Sequence, residues 1–263
     1  MQCTIKAFGL YSVGHSLAPA RSLIGAPRIR FWLMPKTVPE HSSSPVRTKP
    51  KSFFKYQNYY MLDLAEEKKL FSRGYKIIGA LDEAGRGPLA GPVVAACVIF
   101  DANISINNDL IKVNDSKKIS EKLRETLFEL IKQNFIEVGI GICDHKTIDR
   151  INILQATFLA MKKALSSVKT KPDFIMIDGS AKLPNYSTPQ QAYVRGDERF
   201  FTIAAASIIA KVVRDRIMRE MDKLYPNYGF SQHKGYGTKL HLEKLTQYGP
   251  CAIHRLSFNK VKQ

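Results

Sequence analysis

The stretch Gly79-Ala80-Leu81-Asp82-Glu83-Ala84-Gly85-Arg86-Gly87-Pro88-Leu89-Ala90-Gly91-Pro92 decides how this chain is read. A largely apolar run, Tyr75 to Leu81, delivers two adjacent carboxylates at what reads as a strand end. A loop follows in which Gly85 and Gly87 bracket a single Arg86. Carboxylates in such a position suit a hard divalent cation such as Mg²⁺. A glycine-flanked arginine lets backbone N–H groups and a guanidinium come close to a phosphate or a sugar. The chemistry implied is a metal beside a nucleic-acid backbone. One difficulty is geometric, because successive residues of a regular strand face opposite sides. Asp82 and Glu83 share a site only if the strand breaks there, or if one of them acts through a water or a second metal. Gly85 offers such a break.

Two further places repeat the design of a β segment running into an acid beside a glycine: Ile177-Asp178-Gly179 and Gly196-Asp197. Each alone is weak, since an aspartate at a strand end is commonly a turn former or a helix cap. Together they gain weight, because strand ends of one sheet share a rim, and acids converging there repel one another unless cations lie between them. The chain has no Gly-x-Ser-x-Gly elbow and no Walker-type phosphate loop. Four acids could hold two Mg²⁺ ions, one activating water and the other stabilising the leaving oxygen of an in-line phosphodiester displacement.

Bulk properties agree. The chain has 263 residues and a net charge of +17, so a polyanionic partner is expected. Four widely separated cysteines, Cys3, Cys97, Cys143 and Cys251, form no Cys-x-x-Cys pair. That pattern argues against a zinc site or a disulfide framework and for reduced thiols. No apolar run reaches the roughly 18 residues of a membrane span.

The first 60 residues stand apart, with nine Lys or Arg and one acid, Glu40. They read as a basic, disordered N-terminal extension. The other readings are an organelle transit segment, or translation upstream of a start at Met61. Residues 61–263 read as one globular domain. Strands are expected at Lys76–Leu81, Pro92–Phe100, Phe135–Cys143, Phe174–Ile177 and Ala192–Val194. Helices are expected at Leu62–Phe71, Ser120–Gln133, from Asp144 through Val168, at Phe201–Leu224 and at Leu240–Tyr248, with a Gly- and aromatic-rich loop at Tyr225–Thr238. This alternation gives the fold class α/β.

Asn114-Asp115-Ser116-Lys117-Lys118 offers a hydroxyl and two ammoniums ahead of a helix, either a phosphate grip or a solvated helix start. His233-Lys234-Gly235-Tyr236-Gly237-Thr238 sets an aromatic between two glycines, free to stack on a base or sugar unless it packs on the core. Asp215 lies on the long helix among Arg214, Arg216 and Arg219 and reads as an internal ion-pair partner rather than a metal ligand.

These motifs, together with Ala205-Ala206-Ser207-Ile208-Ile209-Ala210-Lys211, stand in the order found in bacterial ribonuclease HII, which the chain resembles over about residues 72–263. The resemblance implies an RNase H-like fold, a mixed central sheet flanked by helices with a helical C-terminal part. It implies an endonuclease that hydrolyses the RNA strand of RNA–DNA hybrids. It also implies cutting 5′ to single ribonucleotides in duplex DNA, leaving a 3′-hydroxyl and a 5′-phosphate, with Mg²⁺ or Mn²⁺ as cofactor. Carried over by position, Asp82, Glu83, Asp178 and Asp197 resemble the metal-binding catalytic acids. Gly85, Arg86 and Gly87 resemble the loop that senses the ribose 2′-hydroxyl, Tyr236 the sugar-stacking tyrosine, and Ser116 and Lys117 backbone contacts. A bacterial cytoplasmic monomer follows from the same resemblance.

Three rivals remain, one of them a general metal-dependent DNA nuclease, told apart by its cutting of all-DNA duplexes. The sister family ribonuclease HIII is similar but resembles a Gly-Lys-Gly loop, where this chain has Arg86. A non-catalytic nucleic-acid binder would keep the basic surface and tolerate lost acids, whereas all four are present.

Overall fold

The computed structural model describes residues 62–261. The readings placed on residues 1–60, on Met61 and on Cys3 lie outside the described residues. In chain order the elements are α1 (Ala65–Ser72), β1 (Ile78–Ala84), β2 (Val93–Phe100), α2 (Glu121–Asn134), β3 (Glu137–Cys143), α3 (His145–Ser167), β4 (Phe174–Asp178), β5 (Gln190–Tyr193), α4 (Phe201–Leu224), α5 (Phe230–His233) and α6 (Lys239–Tyr248).

The five strands form one mixed sheet in the order β3-β2-β1-β4-β5. β1 pairs antiparallel with β2 and parallel with β4, and β4 pairs parallel with β5. Strands buried on both faces read as continuous apolar runs, which is why Val93 to Phe100 carries no alternation. One face packs Ala80, Ala96 and Val98 against the first turns of α4, from Phe201 to Ile209. The other packs Leu81, Cys97 and Ile177 against Ala156, Ala160 and Ala164 of α3. Leu81 is completely buried, which is worth about 2 kcal/mol.

Caps fix the helix starts. Ser120 accepts the Leu123 N–H at 3.2 Å, and Asp144 accepts the Thr147 N–H at 2.8 Å. Glu67 of α1 is fully buried and accepts the Thr202 N–H and hydroxyl at the start of α4. Asn152 interrupts α3 with φ 63°, and its side chain recaps the chain by accepting the Gln155 N–H at 3.1 Å. The loop expected at Tyr225–Thr238 contains one helical turn, α5, bracketed by left-handed Gly229 and Lys234.

The first strand, expected to end at Leu81, continues through both acids to Ala84 on the β2 side, with no break. Asp82 pairs with Ala96, Glu83 with Ala95 and Ala84 with Val94. What ends there is the parallel ladder, whose last pair is Leu81 with Ile177. The two acids therefore extend from a strand supported on one side only.

Candidate active site

Asp82 and Asp178 are the residues immediately beyond that last pair, on neighbouring parallel strands, so the sheet brings them to one rim. By strand alternation Asp82 lies on the α4 side with Ala80, and Glu83 on the α3 side with Leu81. Asp197 arrives from a single 3₁₀ turn, Gly196–Glu198, that follows β5. Arg195, at φ 56°, swings the chain back so that the Gly196 N–H donates to Asp178 Oδ1 at 2.6 Å. The turn has no room for a side chain at Gly196, where a Cβ would lie 2.7 Å from Ile203 Cδ1.

The electrostatics of this rim are unfavourable. Burial, then the charges of Glu83 and Asp178, raise the Asp82 carboxyl well above the usual range, against a hydrogen bond from Ser207. Burial pushes Glu83 up to about 7, with Arg86 opposing. Burial and Asp197 raise Asp178. Partial relief comes from within the chain. Lys117 Nζ lies 3.3 Å from Asp197 Oδ2, and Arg86 Nη1 lies 3.4 Å from Glu83 Oε1. Burial pulls the Lys117 ammonium down, but Asp197 and Asp115 outweigh it and hold it above its ordinary value.

This donor set suits a hard divalent cation: carboxylate oxygens only, half-desolvated, and costly to ionise together. Among the described residues no three His, Cys, Asp or Glu side chains already converge as a cage for an ion. Each acid is turned instead toward a local partner: Asp82 to the Glu83 N–H, Asp178 to the Gly196 N–H, Asp197 to Lys117 and Glu83 to Arg86.

The Gly85–Pro92 loop is held by two buried arginines that sequence reasoning missed. Arg255 donates to the carbonyls of Gly85, Arg86, Gly91 and Pro92 at 2.7 to 3.2 Å. Arg214 donates to Pro92, Ala90 and Lys234 carbonyls at 3.0 to 3.2 Å. Both have no accessible surface. Carbonyl dipoles take the part that a carboxylate usually plays for a buried guanidinium. The signal for Arg214 was present, because Ser207, Ala210, Arg214 and Met218 recur at helical spacing on a buried face. For Arg255, in a loop, there was none. Gly85, at φ 101°, has no alternative, since a Cβ there would overlap Arg214 and stand 2.7 Å from the Pro92 carbonyl oxygen. Asp149 fixes the Arg255 turn from the other side by accepting the Leu256 and Ser257 N–H groups at 3.0 and 2.9 Å.

Arg214 also lies beneath the Tyr236 ring, with Cζ 5.7 Å from its centroid. Tyr236 is 42% exposed, not packed into the core. A Cβ on Gly87 would stand 3.8 Å from Tyr236 Cε1, so loop and tyrosine are adjacent. A cleft of about 310 Å³ continues from Gly87 and Leu89 to Gly237 and Lys260. The larger depression, about 710 Å³ along α6, touches none of the acids.

Lys117 is exposed at the rim, but Ser116 departs from the expected contact. It is buried, and its hydroxyl is 2.9 Å from that of Ser207. It braces the group that hydrogen-bonds Asp82 and presents no hydroxyl to solvent. Asp215 is an ion-pair partner as expected, but of Lys211 at 2.6 Å and Arg124 at 3.9 Å. Its sequence neighbours Arg216 and Arg219 pair with Glu125 of α2.

The family model of ribonuclease HII matches residues 78–261. The chain belongs to the ribonuclease HII family. It is 54% identical over 213 residues to ribonuclease HII of Acetivibrio thermocellus, covering 80% of this chain and 81% of that one. Ribonuclease HII of Geotalea daltonii is 48% identical over 210 residues, 80% of this chain and 94% of the relative. Among solved structures, ribonuclease H2 from Pyrococcus horikoshii OT3 superposes with a TM-score of 0.60 at 28% identity, covering 71% of this chain and 95% of that one. The fold is thus RNase H-like, and ribonuclease HII membership makes the chain a hydrolase of the endoribonuclease class. Among the described residues, no helix is long and apolar enough to cross a membrane.

Proposed function

We propose that this ribonuclease hydrolyses the RNA strand of RNA–DNA hybrids and cuts 5′ to single ribonucleotides embedded in duplex DNA, leaving a 3′-hydroxyl and a 5′-phosphate. The observation that carries the reading is the adjacency of two features. A rim of mutually repelling carboxylates, Asp82, Glu83, Asp178 and Asp197, adjoins a rigid glycine loop, Gly85–Gly87, that faces an exposed tyrosine, Tyr236.

In this reading the four acids hold Mg²⁺ or Mn²⁺, which supply Lewis-acid activation and charge neutralisation when bound. The loop clamped by Arg214 and Arg255 presents its backbone and the Arg86 guanidinium to the ribose 2′-hydroxyl and the neighbouring phosphate, the group that tells RNA from DNA. Lys117 leaves Asp197 to meet a phosphate. Tyr236 packs on the sugar that follows the ribonucleotide and sets the register. Ser116 acts through Ser207 on Asp82. Match to the ribonuclease HII family, with Arg86 in the loop, favours this over a ribonuclease HIII-like enzyme. The free, buried Cys97 and Cys143 and the bacterial relatives support work in a reducing bacterial cytoplasm.

The test is a DNA duplex carrying one ribonucleotide, with products mapped at single-nucleotide resolution. Cleavage 5′ to the ribonucleotide that requires Mg²⁺ or Mn²⁺ is expected. An intact duplex under both ions, or equal cutting of an all-DNA duplex, overturns the reading.

A further inference from the structure

Three histidines are buried together behind Tyr236: His241 completely, His254 at 1% and His233 at 8% exposure. His233 and His241 stack with centroids 4.4 Å apart and planes 13° from parallel. His241 Nε2 and His254 Nε2 are 3.0 Å apart. Their remaining ring nitrogens meet backbone groups, which dictate where each proton sits, and His254 Nδ1 also has the Cys251 Sγ at 3.2 Å, a weak S–H donor compatible with a bare nitrogen.

The chain of deductions starts at Tyr236. Its carbonyl oxygen is 2.9 Å from His241 Nδ1, and an oxygen acceptor requires that Nδ1 carry the proton. A neutral His241 then has a bare Nε2, which must accept from His254 Nε2–H. A neutral His254 is thereby left with a bare Nδ1, and there the Cys251 N–H points, at 2.9 Å. The Cys251 carbonyl, 3.3 Å from the same nitrogen, already accepts the His254 backbone N–H at 3.0 Å. The opposite ordering would set the bare Nδ1 of His241 against the Tyr236 carbonyl. His233 obeys the same logic, donating from Nε2 to the Tyr228 carbonyl at 2.8 Å and accepting the Gly235 N–H on Nδ1 at 3.1 Å. Burial lowers all three, His254 to about 4, in keeping with neutral rings.

We propose that His254 and His241 form a one-directional relay of neutral imidazoles that ends on the Tyr236 carbonyl and fixes the pose of the Tyr236 ring toward the substrate, with His233 fixing Gly235 beside it. These are positioning residues, since none of the three touches the acid rim. The inference rests on the reading that Tyr236 meets the sugar. It adds a side-chain device that holds the ring there beside left-handed Gly235 (φ 83°), alongside the backbone bonds by which Tyr236 donates to the His233 carbonyl at 2.9 Å and accepts the Thr238 N–H at 2.8 Å.

Two measurements on the full chain test it. Long-range ¹H–¹⁵N correlation spectra at neutral pH should show His241 as the Nδ1–H tautomer, and His254 and His233 as Nε2–H. Reversed tautomers or a cationic His241 refute the relay. The second measurement uses isomeric replacements. His241→Asn keeps a donor where Nδ1 was, whereas His241→Gln places its donor where Nε2 was. On the single-ribonucleotide duplex, His241→Gln should raise KM about fivefold with kcat within about twofold, the expected effect of one lost hydrogen bond. His241→Asn should keep KM close to the wild type. Equal KM values for the two refute the relay and leave His241 a packing residue. Should either variant fail to fold, His254→Gln, which keeps the Nε2 donor, and His254→Asn, which loses it, repeat the comparison with the same expected split. Tyr236→Ala separates the two layers. An unchanged KM in that variant means that Tyr236 does not meet the sugar, and the relay's role falls with it. A raised KM there, beside equal Asn and Gln variants, overturns the relay alone.

Discussion

Arg255 Nη2 donates a hydrogen bond of 2.7 Å to the carbonyl of Gly85, 170 positions earlier in the chain. The same guanidinium reaches three further carbonyls of the loop, so four of its five N–H donors are spent on it. Arg255→Lys keeps a positive charge, but an ammonium cannot span that fan. The expected outcome is a loss of about 3 kcal/mol in stability, because several buried carbonyls lose their donor. Cleavage should fall with it. Urea unfolding curves with parallel rate measurements check this, and a lysine variant as stable as the parent would sink the clamp.

The two glycines flanking Arg86 should behave differently. At Gly85 a Cβ meets Arg214 and the Pro92 carbonyl, on a backbone of positive φ, so Gly85→Ala should cost more than about 1 kcal/mol and displace the loop. At Gly87 the first neighbour is Tyr236 Cε1 at 3.8 Å, in the open cleft. Gly87→Ala should leave stability within about 0.5 kcal/mol while crowding the substrate side and raising KM. Comparing thermal melts with KM for both variants decides it, and similar melts would contradict the contrast.

Acids forced together cost stability, so removing one should help the fold while stopping the chemistry. Asp82→Asn and Asp178→Asn should retain binding of a ribonucleotide-containing duplex, lose turnover by at least about 100-fold, and melt no lower than the parent in chelator. Turnover near the parental rate in either variant would remove that residue from the reaction.

Glu83 gives a pH signature. Its carboxyl is held up to about 7 in the folded protein against an ordinary 4.5, so the folded state binds the extra proton. In chelator, stability should therefore be fullest below about 4.5 as far as this group is concerned and decline as pH rises through about 7. Adding Mg²⁺ should oppose the decline at the upper end, and Glu83→Gln should flatten it. Denaturation midpoints across this window, with and without the ion, provide the check. A midpoint indifferent to both changes would show that burial does not hold the Glu83 carboxyl up.

Tyr236 separates stacking from hydroxyl chemistry. Tyr236→Phe should cut the single-ribonucleotide duplex at close to the parental KM. Tyr236→Ala should raise KM about tenfold, the scale of one lost stacking contact. A phenylalanine variant as impaired as the alanine variant would shift the role to the hydroxyl.

Much of this architecture was legible in the chain. Strands show as β-rich apolar runs, and Ser120 and Asp144 announce their helices. Asp178 is legible as an acid ending its strand, and Asp82 shares that rim although β1 runs on to Ala84. What was not legible follows from long-range pairing. That β1 continues through Asp82 and Glu83 depends on β2 alone supporting it, and no local pattern encodes a ladder ending on one side only. Ser116 looked like a surface hydroxyl because its partner Ser207 lies 91 positions away. Arg214 and Arg255 were hidden among forty basic residues, since a charge that serves a loop is spelled like a charge that serves solvent. The histidines are scattered over 22 positions and meet only in the folded C-terminal segment.

The clamp on the loop also orders events during synthesis. The acids occupy positions 82 to 197, and all of them leave the ribosome before Arg255 does. A nascent chain that has exposed the rim and the basic surface still lacks the guanidinium that shapes Gly85 to Pro92.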